Sequence, residues 1–281
     1  MRKRGRPHKH WAELARITAW YCEIKKRSPD WTDYQLDVEF AWKLKAKSAI
    51  GVTGKDRPRT FEWMRKKGRV PHKSWYWRSM SELLDAVEEH ELFRGTKELY
   101  EAPIWNLCQQ DSLTYSFVNN EIDRILKESG LVRISRYDDH SLMAIAKEKK
   151  EAEIYARCLK RSLKKVRMFD RIPLMLYLYL MTSSVSNGDI RLEIEIIMDE
   201  RLNLFFWRFL PRKEHLTLYS FTAQAFRRMR LVSDSKRNET VFPESQGRLI
   251  VLPKELLGKI TIEELYTDWA KVRQLLELDA S

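Results

Sequence analysis

The residues best placed for chemistry in this 281-residue chain are Asp138, Asp139 and His140. Two adjacent carboxylates and an imidazole could hold a divalent metal, as nuclease sites do. They also follow a strand-like stretch and suit the cap of the next helix, which is the reading adopted. Glu193, Glu195, Asp199 and Glu200 form a second acidic group, equally explained as a solvated strand face. The six histidines, His8, His10, His72, His90, His140 and His215, are scattered. No two stand at i,i+4, so the helical zinc-hydrolase pattern is absent. The stretch Gly51 to Lys55 lacks the leading glycine of a phosphate loop, and no Gly-x-Ser-x-Gly elbow occurs. Cys22, Cys108 and Cys158 are odd in number and far apart, which fits neither a disulfide framework nor a ligand set. They are expected as buried thiols in a reducing cytoplasm. No catalytic, cofactor-binding or metal-ligating residue is therefore assigned, and no cofactor is expected.

The distribution of charge is more informative. The net charge is +12. Residues 1–78 carry 21 Lys/Arg against 8 Asp/Glu, a balance of +13, while residues 79–281 carry 31 against 32. Seven of the ten tryptophans (Trp11, Trp20, Trp31, Trp42, Trp63, Trp75 and Trp77) lie in the same first quarter. Cations that served only solubility would be spread along the chain. Cations gathered in one folded segment bind a polyanion and release its counterions. Duplex DNA is the expected partner, with RNA as the alternative because tryptophans among basic residues can stack unpaired bases.

The first ten residues are MRKRGRPHKH. Within them Arg4-Gly5-Arg6-Pro7, flanked by Arg2, Lys3 and Lys9, resembles the core of an AT-hook. The resemblance covers these residues only. It implies that Arg4 and Arg6 enter the narrow minor groove of A·T-rich DNA, with Gly5 allowing close approach and Pro7 directing the chain away. Such a groove concentrates negative potential and attracts arginine.

The elements that must position these cations follow from periodicity. Leu14, Ile17, Tyr21 and Ile24, with Trp20, mark one helix from His10 to the cations Lys25, Lys26 and Arg27. Thr32 to Gln35 fits a capping box, with Trp31 and Leu36 as its hydrophobic staple. The helix it opens is expected to reach about Lys47, burying Leu36, Phe40 and Leu44. Pro58 suits the first turn of a third helix that stops at Gly68. There Phe61 and Met64 face inward, and Arg59, Trp63 and Lys66 face outward. The expected DNA-contacting set is Arg2, Lys3, Arg4, Arg6, Lys9, Arg57, Arg59, Trp63, Lys66, Lys67, Arg69 and Lys73.

Residues 79–110 read as connector helices, with Ser79 or Ser81 as a cap. Residues 111–281 read as an α+β region with two winged-helix-like units, near 112–136 and 216–252. In the first, a helix ends at Gly130 before the strand Leu131 to Ser135. In the second, a helix ending in Arg227, Arg228 and Arg230 precedes a hairpin. Between them, Ala156, Leu159, Leu163 and Val166 form the apolar edge of a helix whose other side holds Arg157, Lys160, Arg161, Lys164 and Lys165. Ile172 to Met181 reads as a buried element too short to span a bilayer. Leu192, Ile194 and Ile196 alternate with Arg191, Glu193 and Glu195, which predicts a strand. The Phe205 to Pro211 run reads as core. A last amphipathic helix carries Leu265, Trp269, Val272 and Leu276.

The expected fold is mainly α with a few short β-strands. A flexible basic arm (1–9) and a basic three-helix, helix-turn-helix-like module (10–78) precede the winged-helix-like α+β region. The expected function is selective DNA binding by a cytoplasmic transcriptional or mobile-element regulator, with no membrane partner. A homodimer or protein contact through the C-terminal part is also expected. The alternatives are an RNA-binding or nucleoprotein-assembly subunit of a mobile element or defence system, and a metal-dependent nuclease.

Overall fold

The computed structural model describes residues 10–42, 59–71, 78–135, 149–182, 188–234 and 249–253. The protein is mainly helical with a few short strands. It divides into two units, Met1–Gln109 with Phe205–Phe221, and Gln110–Leu204 with Thr222–Ser281.

In the first unit α1 (Trp11–Arg27) buries Ile17, Trp20, Tyr21 and Ile24 on one face. Leu14, expected in that stripe, is 38% exposed. The capping box forms: the Thr32 hydroxyl accepts the Gln35 amide and Gln35 Oε1 accepts the Thr32 amide. The helix it opens is shorter than expected. Four residues of α2 (Asp33–Leu36) pass into one π-helical turn (Asp37–Ala41), and Trp42 is already extended. Trp31 packs on Phe40 and Phe93, so the staple is anchored in the core.

Next come α3 (Thr60–Lys67) and α4 (Met80–Glu88), the latter capped by Ser79 with Glu82. A 3-10 turn (Glu91–Phe93) leads to α5 (Thr96–Tyr100) and α6 (Ile104–Leu107). Leu83, Leu84, Val87, Phe93 and Tyr100 share one buried cluster with Trp20, Leu36, Phe61 and Met64. Residues 79–110 are thus part of this core and do more than connect. The reason is burial: three short helices alone enclose too little apolar surface to hold a stable core. Phe205, Phe206 and Phe209 are also buried here, with Trp105 packed on the first two, whereas Trp207 in the same run is 72% exposed.

The second unit contains β1 (Ser112–Thr114), α7 (Tyr115–Glu128), β2 (Leu131–Ser135) and α8 (Lys149–Lys165). After a 3-10 turn (Met168–Asp170) follow α9 (Arg171–Met181) and α10 (Gly188–Phe209). Then come α11 (Arg212–Arg228), β3 (Arg230–Val232) and β4 (Leu249–Pro253). Every residue from Ile172 to Met181 is buried, as expected of a helix that is apolar all round. Ala156, Leu159, Leu163 and Val166 are buried too.

Two expectations fail here. Residues 190–198 are helical. Ile190, Ile194, Ile197, Met198 and Leu202 face inward at steps of three and four, and Leu192 and Ile196 are 55% and 48% exposed. The alternation was real, but a longer apolar stripe of helical period overrides it. Nor do the two described strands after α11 pair with each other as the expected hairpin would require. β3 pairs in parallel with β1, with Leu231 opposite Leu113, and β4 pairs antiparallel with β2, with Val251 opposite Arg133. The Asp234 carboxylate explains the first pairing. It accepts the Ser116 amide and, at 2.5 Å, the Ser116 hydroxyl, so it caps α7 from 118 residues away.

Candidate nucleic-acid interface

The central element of the expected interface is α3, and two carboxylates outside it fix its position. Asp37, buried in the π-helical turn, accepts the Phe61 amide at 3.0 Å and so caps the start of α3. Asp33 accepts the Tyr21 hydroxyl at 2.7 Å through Oδ1 and the Arg65 guanidinium at 2.8 Å through Oδ2, tying α1, α2 and α3 together. Burial, then the hydrogen bond to Asp33, raises the Tyr21 pKa well above its ordinary value. At the other end Gly68 has φ 53°, a conformation that favours glycine, and its amide bonds back to Met64 O. A Cβ at Gly68 would meet Leu14 Cδ2 at 2.7 Å. This close approach explains why Leu14 lies over the end of α3 instead of in the core stripe.

The inward face of α3 is Thr60, Phe61 and Met64, with Phe61 stacked on Trp20 at 6.0 Å. Pro58 lies outside the described residues; the helix begins at Thr60, with Arg59 as its N-cap. Outward, the cations fall into two classes. Lys66 bonds Glu62 at 2.8 Å one turn back, and Arg65 bonds Asp33. Arg59, Lys67 and Arg69 are exposed and have no carboxylate partner among the described residues. The Arg69 amide bonds Trp63 O, which holds the backbone of Arg69 beside the end of the helix. Arg65, Lys66 and Lys67 also sit where the negative end of the helix dipole favours cations.

Of the expected DNA-contacting set, the structure brings together Arg59, Lys66, Lys67 and Arg69 on the outer side and rim of α3. Trp63 is half-buried there. Arg2, Lys3, Arg4, Arg6, Lys9, Arg57 and Lys73 lie outside the described residues. Of the tryptophans expected to stack, Trp20 is fully buried and Trp31 packs against the core, Trp11, Trp42 and Trp63 are half-buried, and Trp75 and Trp77 lie outside the described residues. Sequence reasoning missed Asp33 and Asp37. Asp33 had a weak signal, the first turn of the capping box, whereas the capping of α3 by Asp37 leaves no local trace.

In the second acidic group three carboxylates have cationic partners. Arg227 bonds Glu195 and Asp199, each at 2.7 Å, and Lys160 pairs with Glu200 at 3.1 Å. Burial raises the Asp199 pKa although Arg227 opposes it. Among the described residues no three His, Cys, Asp or Glu side chains gather as a metal site; Asp138, Asp139 and His140 lie outside them. His10 and His90 cap local turns through Nδ1. The cysteines are free; Cys108 is buried, while Cys22 and Cys158 are only half-buried. Among the described residues no helix is long and apolar enough to cross a membrane. Compared with family models, curated proteins and solved structures, the chain shows no match to any of them.

Proposed function

We propose that the protein binds nucleic acid, duplex DNA in preference to RNA, as a regulator of transcription or of a mobile element. The outer side of α3 faces a groove, and the Arg4 to Pro7 segment lies in an adjacent minor groove. The observation that carries this reading is the confinement of the positive balance to residues 1–78. Within that segment Arg59, Lys67 and Arg69 are exposed and have no carboxylate partner among the described residues. A short helix anchored by three buried residues and presenting cations fits the width of a major groove. The helix-turn-helix-like description belongs to this proposal and rests on α1, α2 and α3 packing together. The burial of Trp20 weighs against the RNA reading, which relied on tryptophans free to stack.

The test is the salt dependence of binding by the full chain to a labelled duplex. Replacing Arg59, Lys67 and Arg69 together by alanine is expected to reduce the slope of log K against log salt by about 3, from roughly 0.9 per phosphate contact. An unchanged slope would refute the α3 interface. Replacing Arg4 and Arg6 by alanine should weaken A·T-rich duplexes more than G·C-rich ones, and equal loss on both would refute the minor-groove arm. Structured RNA displacing duplex DNA at equal concentration would select the RNA reading instead.

A further inference from the structure

The near-zero charge balance of residues 79–281 conceals one segment of a single sign. Residues 154–169 hold six Lys/Arg and no Asp or Glu. They cover most of α8 and the chain just beyond it. At about 100° per residue, Tyr155, Ala156, Leu159, Ser162 and Leu163 fall on one arc of the helix, and all are buried. Arg157, Lys160, Arg161, Lys164 and Lys165 fall on the opposite arc, about 140° wide. Of these Arg157, Lys164 and Lys165 are exposed, and Lys160 and Arg161 are half-buried.

Cations three and four residues apart on a helix repel one another. A face that served solubility alone would therefore interleave acids with them. The helix dipole favours Lys164 and Lys165 in the last turn but not Arg157, Lys160 and Arg161 further back. Acids from other elements meet Lys160, through Glu200 at 3.1 Å, and Arg167 past the helix end, through Glu128 at 3.9 Å. Arg157 and Lys164 have no carboxylate partner among the described residues. They stand two turns apart on the same side, about 10 Å along the axis.

We infer that this face of α8 is a second nucleic-acid surface, laid along the phosphate backbone of a duplex with Arg157 and Lys164 as its uncompensated contacts. The inference rests on the reading that the protein binds DNA, but on no residue of α3. A row of one sign, held in place because the opposite arc is locked in the core, complements a polyanion whose charges also recur along a line. The other common use of a basic amphipathic helix is insertion into a lipid surface. With its apolar arc buried, α8 has no apolar side left to insert. Phosphate contacts carry no sequence information, so α8 adds affinity without selectivity.

Fluorescence anisotropy of the full chain with A·T-rich and G·C-rich labelled duplexes, across a salt series, tests this. Arg157→Gln combined with Lys164→Gln is expected to lower the slope of log K against log salt by about 2 and to weaken both duplexes by the same factor. Thermal unfolding should show that variant no less stable than the parent, because it removes like-charge neighbours. Glu200→Gln, which frees Lys160 from its partner, should act in the opposite sense and tighten binding about twofold at low salt. An unchanged slope in the double variant, or no tightening in Glu200→Gln, would overturn the α8 surface. The α3 reading would survive that result if the Arg59, Lys67 and Arg69 variant still lost slope. The reverse pattern would sink the α3 interface and retain α8, and a parent that bound neither duplex at low salt would end both. Labelled polyglutamate, titrated in parallel, stands in for an acidic protein partner. A loss in the double variant as large for polyglutamate as for duplex would overturn the assignment to nucleic acid.

Discussion

The buried Asp37 carboxylate accepts the Phe61 amide 24 residues further along the chain, so one turn of helix sets the start of another. Asp37→Ala removes that acceptor and leaves an enclosed amide unsatisfied, at a cost of about 2 kcal/mol. Asp37→Asn keeps an acceptor oxygen and should recover most of the loss. Urea unfolding followed by tryptophan fluorescence measures both, since Trp20 stacks on Phe61. Equal midpoints for the parent and Asp37→Ala would show that Asp37 does not hold α3 in place.

The two isoleucines of the alternating stretch separate helix from strand. A strand puts Ile194 and Ile196 on one face, but in α10 Ile194 is fully buried and Ile196 is 48% exposed. Ile194→Ala should therefore cost about 2–5 kcal/mol, and Ile196→Ala should stay within roughly 0.5 kcal/mol. Similar losses at both positions would restore the strand.

Local signals were legible and distant ones were not. The Thr32 capping box, a serine cap at Ser79 or Ser81, the Gly68 and Gly130 stops and the buried run from Ile172 to Met181 could be read because each acts within a turn or two of sequence. The pairings of β1 with β3 and β2 with β4 could not. Each strand is short, and what selects its partner, such as Asp234 on Ser116, lies over a hundred residues away. Periodicity placed Trp20 with the apolar stripe of α1, and it faces the core; composition alone reports that rings are present but not which way the others face. On α3 the inward pair Phe61 and Met64 was read correctly. That Asp33 and Glu62 engage two of the cations required the folded chain.

Alkaline pH should loosen the fold through its thiols. Burial, with the nearby Glu214 charge, pushes Cys22 up to about 11 from an ordinary 9.0, and burial raises Cys158 to about 11. Both folded values lie above the unfolded one, so the native state holds the proton more tightly. The stability this contributes is complete below about pH 9 and is lost as pH rises toward 11. Urea midpoints should fall across that window, and less steeply in Cys22→Ala. Tyr21, raised by burial and its bond to Asp33, extends the loss above pH 10. Alkylation at pH 9 should be slower in native than in urea-unfolded protein, and equal rates would contradict the elevated thiols.

Lys66 and Lys67 are adjacent in sequence, yet only Lys66 has its charge compensated on α3, by Glu62 at 2.8 Å. If α3 faces phosphates, Lys67→Ala should weaken duplex binding and lower the salt slope by about 1. Lys66→Ala should change the slope less, because part of that charge is already balanced within the helix. The sharper variant is Glu62→Gln, which releases Lys66 and removes a like charge facing the phosphates. It should tighten binding by about two- to tenfold at low salt, an advantage that fades as salt screens the interaction. Fluorescence anisotropy with one labelled duplex at several salt concentrations resolves all three. If Glu62→Gln left affinity unchanged while Lys66→Ala and Lys67→Ala gave the same slope, the outer face of α3 would be a solvated surface and the DNA contacts would lie elsewhere.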